Sequence, residues 1–207
     1  MKKTIIQLFL IMSITAYGQT INEVFISMPA SFLPGSFEAN RRVLLADTIG
    51  TTVSTTLGEI TKLNHSDNFL EIRTSAVGTT QIKLLPIAAD SMIICLVRTV
   101  CGPTCDSHIS FYTTEWEKLE TSTFLPEISA KNFFDSSQKD SENYKYAVSL
   151  SDILPISAQF NESNTDIELT FNYKQHLSAN VIAEMTPFLK TDTIVLQWRN
   201  RKFQTND

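Results

Sequence analysis

Glycine, proline and cysteine are all scarce in this chain of 207 residues, which contains six, seven and three of them. So little glycine and proline excludes a collagen-like or linker-dominated chain. Three cysteines are too few for a dense disulfide framework. Apolar residues make up 43% of the chain and charged residues 19%. This composition is that of a globular protein with one domain of ordinary size or two small ones.

Basic residues are in deficit as well. Lysine and arginine number 17 against 22 acidic residues, which gives a formal net charge of −5 at pH 7. A general nucleic-acid binder needs a basic face that meets the phosphates. We therefore expect no nucleic-acid partner.

Residues 1–18 have the pattern of a secretory signal. A mostly apolar run follows Lys2 and Lys3 and ends in the small-x-small motif Ala16-Tyr17-Gly18. The run is shorter than the roughly 20 apolar residues that a membrane span needs. We predict a signal peptide cleaved before Gln19 and no stable membrane span after cleavage. The predicted location is periplasmic, or secreted and on the cell surface.

Two helices are predicted at the start of the cleaved chain. Thr20 and Glu23 have the spacing of a capping box, and Pro29 ends the helix that follows. A second helix is predicted from Ser36 to Ile49, with Arg41 and Arg42 facing solvent or an acidic neighbour.

From residue 51 the pattern favours strands that alternate or are continuously apolar. The predicted strands are Thr51–Leu57, Leu70–Thr74, Gln81–Leu84, Ser91–Val100, Ile109–Tyr112, Ile156–Phe160, Asp166–Tyr173 and Thr193–Trp198. Asn64–Asn68 is predicted as a turn, Tyr144–Leu154 as a helix, and Ala179–Met185 fits a strand or a helix. The fold class is therefore α+β, with N-terminal helices followed by a mainly antiparallel sheet.

The polar stretch 121–143 is the predicted connecting loop. It separates a first α+β unit, residues 19–120, from a second unit, residues 144–207, that packs on the first. Each unit reads as helical segments followed by strands and ends near a tryptophan. A tandem duplication of a helix-plus-sheet unit would explain this pattern, although any two α+β halves share such features.

Two cysteines flank a turn, and both a disulfide and a redox site are conceivable there. Cys101-Gly102-Pro103-Thr104-Cys105 resembles the thioredoxin Cys-Gly-Pro-Cys site, but it has one residue more and lies between two strands. A redox site needs a helix N-terminus that lowers the thiol pKa. Because exported proteins meet oxidising conditions, we predict a Cys101–Cys105 disulfide, with Cys95 left as a buried free thiol.

The sequence shows no established motif for catalysis, metal binding or cofactor binding. His65, His108 and His176 lack metal-ligand spacing, and nucleophile-elbow and phosphate-loop motifs are missing. We therefore assign no catalytic, metal or cofactor residues and expect no cofactor. A pair of carboxylates brought together by the fold remains open.

Several segments together are similar to an uncharacterised family of secreted Bacteroidetes proteins, a domain of unknown function. They are residues 28–34 (Met-Pro-Ala-Ser-Phe-Leu-Pro), Leu57-Gly58, Lys83-Leu84-Leu85-Pro86, residues 99–103 (Thr-Val-Cys-Gly-Pro), Asp106-Ser107, Phe111-Tyr112 and Trp116. The resemblance implies an envelope location and brings no activity or catalytic residue. It also implies candidate O-glycosylation at Thr48, Ser91 and Thr193, each of which follows an aspartate.

The sequence thus favours an exported, non-catalytic binding or structural module of the cell envelope over an enzyme. The partner would be an unidentified protein or glycan, and Tyr144, Tyr146 and Tyr173 are candidates for lining such a face. The alternative is a secreted hydrolase or an accessory protein in polysaccharide handling. A recess with two close acidic groups would favour the hydrolase, whereas an exposed apolar face would favour the binding module.

Overall fold

The computed structural model describes residues 19–46, 48–151 and 153–205. The predicted signal peptide and Asp47, the residue before candidate Thr48, lie outside the described residues. The described chain begins with helix α1 (Ile21–Ser27), whose predicted capping box is present: Thr20 Oγ1 accepts from Glu23 N, and a Glu23 carboxylate oxygen accepts from Thr20 N. Helix α2 (Glu38–Ala46) follows.

Seven strands form the first sheet. They are β1 (Thr52–Thr55), β2 (Gly58–Ser66), β3 (Phe69–Arg73), β4 (Gly78–Ala88), β5 (Ser91–Cys101), β6 (Cys105–Tyr112) and β7 (Lys118–Leu119). Each strand pairs antiparallel with its neighbour in sequence, so the sheet is a meander. Strand β2 continues to Ser66, so the predicted turn at 64–68 is shorter than expected.

Residues 121–141 contain three short 3-10 helices, Thr121–Thr123, Ala130–Phe133 and Ser136–Gln138. Helix α3 (Glu142–Ser149) leads into the second sheet. Its four strands are β8 (Ile156–Phe160), β9 (Ile167–Phe171), β10 (Thr193–Arg199) and β11 (Lys202–Thr205), and helix α4 (Ala179–Met185) lies between β9 and β10. All neighbouring strands are antiparallel, in the order β11-β10-β9-β8.

The first sheet is covered on both faces. On one face Val24 and Phe25 of α1 and Leu44 of α2 form a core with apolar side chains of the strands, among them Leu70 and Ile82. These residues are at most 1% exposed, so the helices bury this face from water. Burial of apolar area of this kind is the main favourable term in folding.

On the other face the two sheets share a core. Phe69, Cys95 and Phe111 of the first sheet pack with Phe160 and Phe203 of the second. The described chain is therefore layered as helices, seven-stranded sheet and four-stranded sheet, with α3 and α4 beside the second sheet.

Strand β8 lies at the edge of the second sheet, and side chains of the first sheet bind its outward N–H groups. Ile156 N donates to Asp106 Oδ1 and Ala158 N to Ser107 Oγ, at 3.3 and 2.9 Å. Phe160 N donates to Gln81 Oε1 at 3.0 Å. An edge strand otherwise presents a row of unpaired backbone groups, so these three acceptors fix where the second sheet docks.

One buried cation differs from the sequence expectation, and another lies between the two sheets. The Arg41 side chain does not face solvent: it donates to Ile26 O from Nε and Nη2 and to Ser36 O from Nη1, and it bridges α1 and α2. Arg42 is exposed and pairs with Glu38, as predicted. Lys83 is fully buried between the sheets, with Nζ 3.4 Å from Glu162 O and 5.2 Å from the centre of the Phe69 ring.

The observed fold confirms the α+β class with mostly antiparallel sheet. The segment 179–185, which fitted either state, is helix α4. The division into units 19–120 and 144–207 and the tandem duplication stay predictions.

Candidate functional site

The turn between β5 and β6 is closed by the predicted disulfide. Cys101 and Cys105 are directly opposite in the strand register and are joined, with their Cα atoms 4.0 Å apart. Cys95 is free and buried in β5, and burial raises the pKa of its thiol well above the ordinary value. Because the thiolate is the reactive form of cysteine, Cys95 is an inert core residue at neutral pH.

The disulfide turn also contacts the second half of the chain. Asn172 Nδ2 donates to Cys105 O at 2.7 Å, and Thr104 Oγ1 hydrogen-bonds His176 Nε2. Cys101 N donates to Val77 O of the preceding β3–β4 turn at 2.8 Å. The turn is therefore fixed on two sides by neighbours.

Three hairpin turns lie at one end of the first sheet because alternate turns of a meander share an end. They connect β1 to β2, β3 to β4 and β5 to β6. Each has an exposed aliphatic side chain in the turn or at the end of the adjoining strand: Leu57 is 73% exposed, Val77 53% and Val100 61%. Scattered apolar side chains are normal on a surface, but three at one end of a sheet are a local concentration.

A recess of about 380 Å³ opens at this end of the sheet. We call it the hairpin-end cleft; its apolar lining consists of Phe32, Leu33, Pro34, Leu57, Ile60 and Val100. Serine and threonine hydroxyl groups from the loop before α2 and from the strands complete the wall, together with one charged side chain, Arg98. The volume falls within the usual range for small-ligand pockets, roughly 300–1,000 Å³.

Arg98 lies in β5 and is partly buried. Its Nη2 donates to Phe32 O at 3.2 Å, and its guanidinium carbon is 5.3 Å from the centre of the Phe32 ring. That ring makes a T-shaped contact with Tyr112, and Trp116 packs beside it. Trp116 in turn donates from Nε1 to Val24 O of helix α1 at 3.0 Å. Through Phe32 and Trp116, the cleft is thus in contact with the core between the first sheet and the helices.

Two further recesses lie beside the second sheet and share Leu125 and Ile128 as lining. Their volumes are about 490 and 280 Å³. The smaller recess contains one carboxylate, Asp106, which already accepts the Ile156 N–H of β8. Another recess at the second sheet, of about 240 Å³, contains Asp166 and Glu168.

The shifted carboxyl groups of the described chain do not resemble catalytic acids. Hydrogen bonds from Ser137, Lys145 and Lys174 lower the pKa of Asp135, Glu142 and Asp192 respectively. A general acid needs the opposite shift, because it must hold its proton near neutral pH. Over residues 19–46, 48–151 and 153–205, no three His, Cys, Asp or Glu side chains are grouped so as to hold a metal ion.

The three histidines are in different surroundings and do not share a contact partner. His65 Nε2 is 2.8 Å from Asn22 Oδ1 of α1, His176 contacts Thr104, and His108 is exposed on β6. Burial, and then the positive charge of Lys62, lowers the pKa of His65.

The candidate tyrosines do not form a common surface. Tyr173 is only 5% exposed and packs beside Phe171, whereas Tyr146 is 54% exposed on α3. Tyr144 is half-buried between Phe134 and Phe188. A tyrosine-lined binding face is therefore not what the fold builds.

The candidate glycosylation residues differ in accessibility. Thr48 and Ser91 are exposed, the latter at the first residue of β5, and Thr193 is half-buried at the first residue of β10. The preceding Asp192 is engaged by Lys174 Nζ at 2.8 Å. Of the three, Ser91 and Thr48 offer a hydroxyl group that a sugar can reach.

Sequence reasoning missed Arg98 and the apolar wall of the cleft. Arg98 follows the continuously apolar run of β5 without any motif around it, and Leu57 precedes a glycine in an ordinary turn. The one available signal was Val77, an aliphatic residue in the turn between two predicted strands, where polar residues are usual, whereas Leu57 and Val100 end predicted strands next to turns. Only the meander order shows that these turns share one end.

None of the helices in the described ranges has the length and apolar character that a membrane crossing requires.

Comparison with known proteins gives a family and a fold relative. The chain is similar to the solved structure of a domain of an uncharacterized protein from Porphyromonas gingivalis W83, at a TM-score of 0.79 and 26% sequence identity. The similarity covers 92% of this chain and 98% of that one. No curated protein matches the chain. The model of a family described as "Protein of unknown function (DUF3256)" matches residues 12–203, and the chain belongs to this family.

Proposed function

We propose that the chain is exported and acts as a non-catalytic binding module of the cell envelope, with a protein as its partner. The observation that carries the proposal is the exposed aliphatic pair Leu57 and Val100 at the hairpin-end cleft, with Val77 exposed on the neighbouring turn. Exposed apolar patches with a polar rim are typical of protein interaction sites. The disulfide supports the proposal because it fixes one of the three turns that form the site.

The alternative, a hydrolase, has less support. It requires two carboxyl groups in a recess, one of them holding a proton. Asp166 and Glu168 line one recess together, but Asn164 Nδ2 already donates to Asp166 Oδ2 at 3.1 Å. The geometry of the described residues therefore favours binding over hydrolysis.

Export is tested on protein from its native host. Mass spectrometry of the mature chain should find Gln19 at the N-terminus, and fractionation should place the chain outside the cytoplasm. Recovery of the mature pool with Met1 intact would contradict this part of the proposal. Glycopeptide mapping of the same material tests modification of Thr48, Ser91 and Thr193, and full recovery of unmodified peptides would exclude it.

Site-specific photo-cross-linking tests the binding role. A photoreactive side chain at position 57 should give a discrete adduct with one envelope protein in living cells. The matched control is position 153, because Ile153 is 92% exposed and lies outside the cleft lining. The expected result is an adduct from position 57 that position 153 does not give. Equal adducts from both positions, or none from either, would overturn the proposed site.

A further inference from the structure

We propose that the hairpin-end cleft binds a carboxylate carried by an apolar peptide segment, and that Arg98 is the residue that binds it. This inference rests on the proposed function, since it names the chemistry that the protein partner presents. It is carried by three features of the cleft: an arginine without an anionic partner, a wall without acidic residues, and an aliphatic rim.

The charge of Arg98 is not balanced within the described part of the chain. The ion pairs there join Arg42 to Glu38, Lys145 to Glu142 and Lys174 to Asp192. Arg98 has one hydrogen bond, from Nη2 to a backbone carbonyl, and one aromatic contact. A guanidinium group has five N–H donors in a planar fork, so most of the donors of Arg98 remain available to a ligand.

The wall of the cleft favours an anion at this point. Its lining includes no Asp or Glu, and its polar groups are neutral hydroxyl groups. An arginine in a partly apolar recess is incompletely solvated, so a carboxylate that binds it in two-pronged fashion gains more than it would in open water. The same arginine on an open surface would contribute little.

The rim indicates a peptide as the source of the carboxylate. Leu57 and Val100 expose aliphatic side chains to which the apolar residues of a peptide can pack. A sugar-binding site usually offers an open aromatic face. The one aromatic ring in the cleft lining, Phe32, is already in contact with the Arg98 guanidinium group, Tyr112 and Trp116.

Three synthetic peptides and the full chain purified after export test this inference. The first is acetyl-Leu-Val-Glu-Val-Leu-amide, the second has glutamine in place of glutamate, and the third is the glutamine peptide with a free C-terminal carboxylate. Binding is measured by fluorescence anisotropy, and the site is mapped by amide chemical shifts of Thr80 and Val100. A charge-assisted hydrogen-bonded pair corresponds to about tenfold in affinity, so the glutamate peptide should bind about tenfold more tightly than the first glutamine peptide.

Variants then assign the preference to one residue. Arg98→Met should remove the tenfold difference, and Arg98→Lys should restore part of it. Arg199→Met is the control, because Arg199 is exposed on β10 of the second sheet and should leave the difference unchanged. Thermal melting of each variant shows that it is folded. If the Arg98→Met chain does not fold, a reduced but remaining preference in Arg98→Lys, or a peptide-induced shift of the Arg98 side-chain Nε–H signal in the unmodified chain, decides the assignment.

The outcomes separate this inference from the proposed function. A carboxylate preference that depends on Arg98 supports it, whether the glutamate or the free C-terminus supplies the anion. Equal binding of charged and uncharged peptides overturns the role of Arg98 but leaves an apolar protein-binding site. Binding of none of the peptides, or Arg98-dependent binding of a uronic-acid oligosaccharide alone, overturns the peptide assignment. Cross-linking at position 57 tests the proposed function independently of these measurements.

Discussion

The two faces of the seven-stranded sheet are held to their neighbours in different ways. On the helix side, α1 and α2 pack through fully buried apolar residues such as Phe25 and Leu44. On the other side, the second sheet also has an apolar core, but polar side chains of the first sheet bind the backbone of its edge strand. Gln81 and Lys83 are buried there among apolar residues.

The two kinds of contact contribute differently to the stability of the fold and to the relative placement of its elements. Apolar packing is roughly proportional to the buried area and is not directional, so it stabilises the helices on the sheet while their placement also depends on polar contacts such as that of Trp116 Nε1 with Val24 O. A hydrogen bond has strict geometry and a modest net stabilisation, whereas a buried group left unpaired is costly. The polar contacts to β8 therefore set the register of docking between the sheets.

The largest expected effect comes from the helix side. Phe25→Ala removes a side chain that is 0% exposed. Such a change leaves a cavity and lowers the free energy of unfolding by about 3–5 kcal/mol. Urea denaturation followed by tryptophan fluorescence measures it, with Phe37→Ala as the matched control because Phe37 is 69% exposed. The control should change stability by less than about 0.5 kcal/mol, and a similar loss in both variants would contradict the packing described for α1.

The next effect concerns the polar contacts to β8. Gln81→Leu keeps side-chain volume but leaves the buried N–H of Phe160 without its acceptor and removes the hydrogen bond from Gln81 Nε2 to Glu71 Oε1, which together should cost about 1–3 kcal/mol. Amide hydrogen exchange should show faster exchange at Phe160 in the same variant. Gln159→Leu is the control, since Gln159 is exposed on the same strand. Should the two variants lose equal stability, the edge of β8 is not held by Gln81.

Local sequence signals predicted those elements whose ends are defined by their own residues. The capping box placed the start of α1, and the predicted strand 156–160 has the same bounds as β8. The apolar run 91–100 is β5, which pairs on both edges. In each case the side chains that decide the structure are close in sequence, so the pattern contains the information.

Two kinds of feature were missed: a hairpin that lacks the usual turn residues, and side chains whose surroundings come from other segments of the chain. Strand β11 follows a turn in which Asn200 and Arg201 have positive φ angles of 52° and 64°, but it lacks the usual Asn-Gly signal of such a hairpin. Arg41 was expected at the surface and is buried because the carbonyl oxygens of Ile26 and Ser36 accept its donors. Arg98 belongs to the same class, since its surroundings come from chain segments far apart in sequence.

The disulfide turn lies where the first sheet meets the second half of the chain. The double variant Cys101→Ser, Cys105→Ser opens a very short loop, so the loss of stability should not exceed about 2 kcal/mol. Non-reducing peptide mapping should find Cys101 joined to Cys105 and Cys95 free. Wild-type protein unfolded in the presence of a reductant is the control and should show the same loss. A loss several times larger would mean that the turn anchors the second sheet rather than only closing a hairpin.

The smallest effect is a pH dependence on the helix side, where His65 of β2 meets Asn22 of α1 at 2.8 Å. Burial, and then the charge of Lys62, lowers the pKa of His65 below its ordinary value of 6.5, with Asp67 opposing the shift. The unfolded chain therefore binds this proton more readily than the folded chain. The contribution of His65 is fully present above the unfolded pKa and is lost as the pH falls through 6.5 towards the lower folded value.

Denaturation at several pH values between about 5 and 8 measures this dependence, around the ordinary histidine pKa. His65→Gln should flatten the fall in stability on the acid side, because the group that prefers to be protonated in the unfolded chain is gone. His108→Gln is the control on the exposed surface of β6 and should keep the wild-type slope. An NMR titration should place the midpoint of the His65 ring below the ordinary value. If both variants keep the wild-type slope, the contact between β2 and α1 does not depend on the charge of His65.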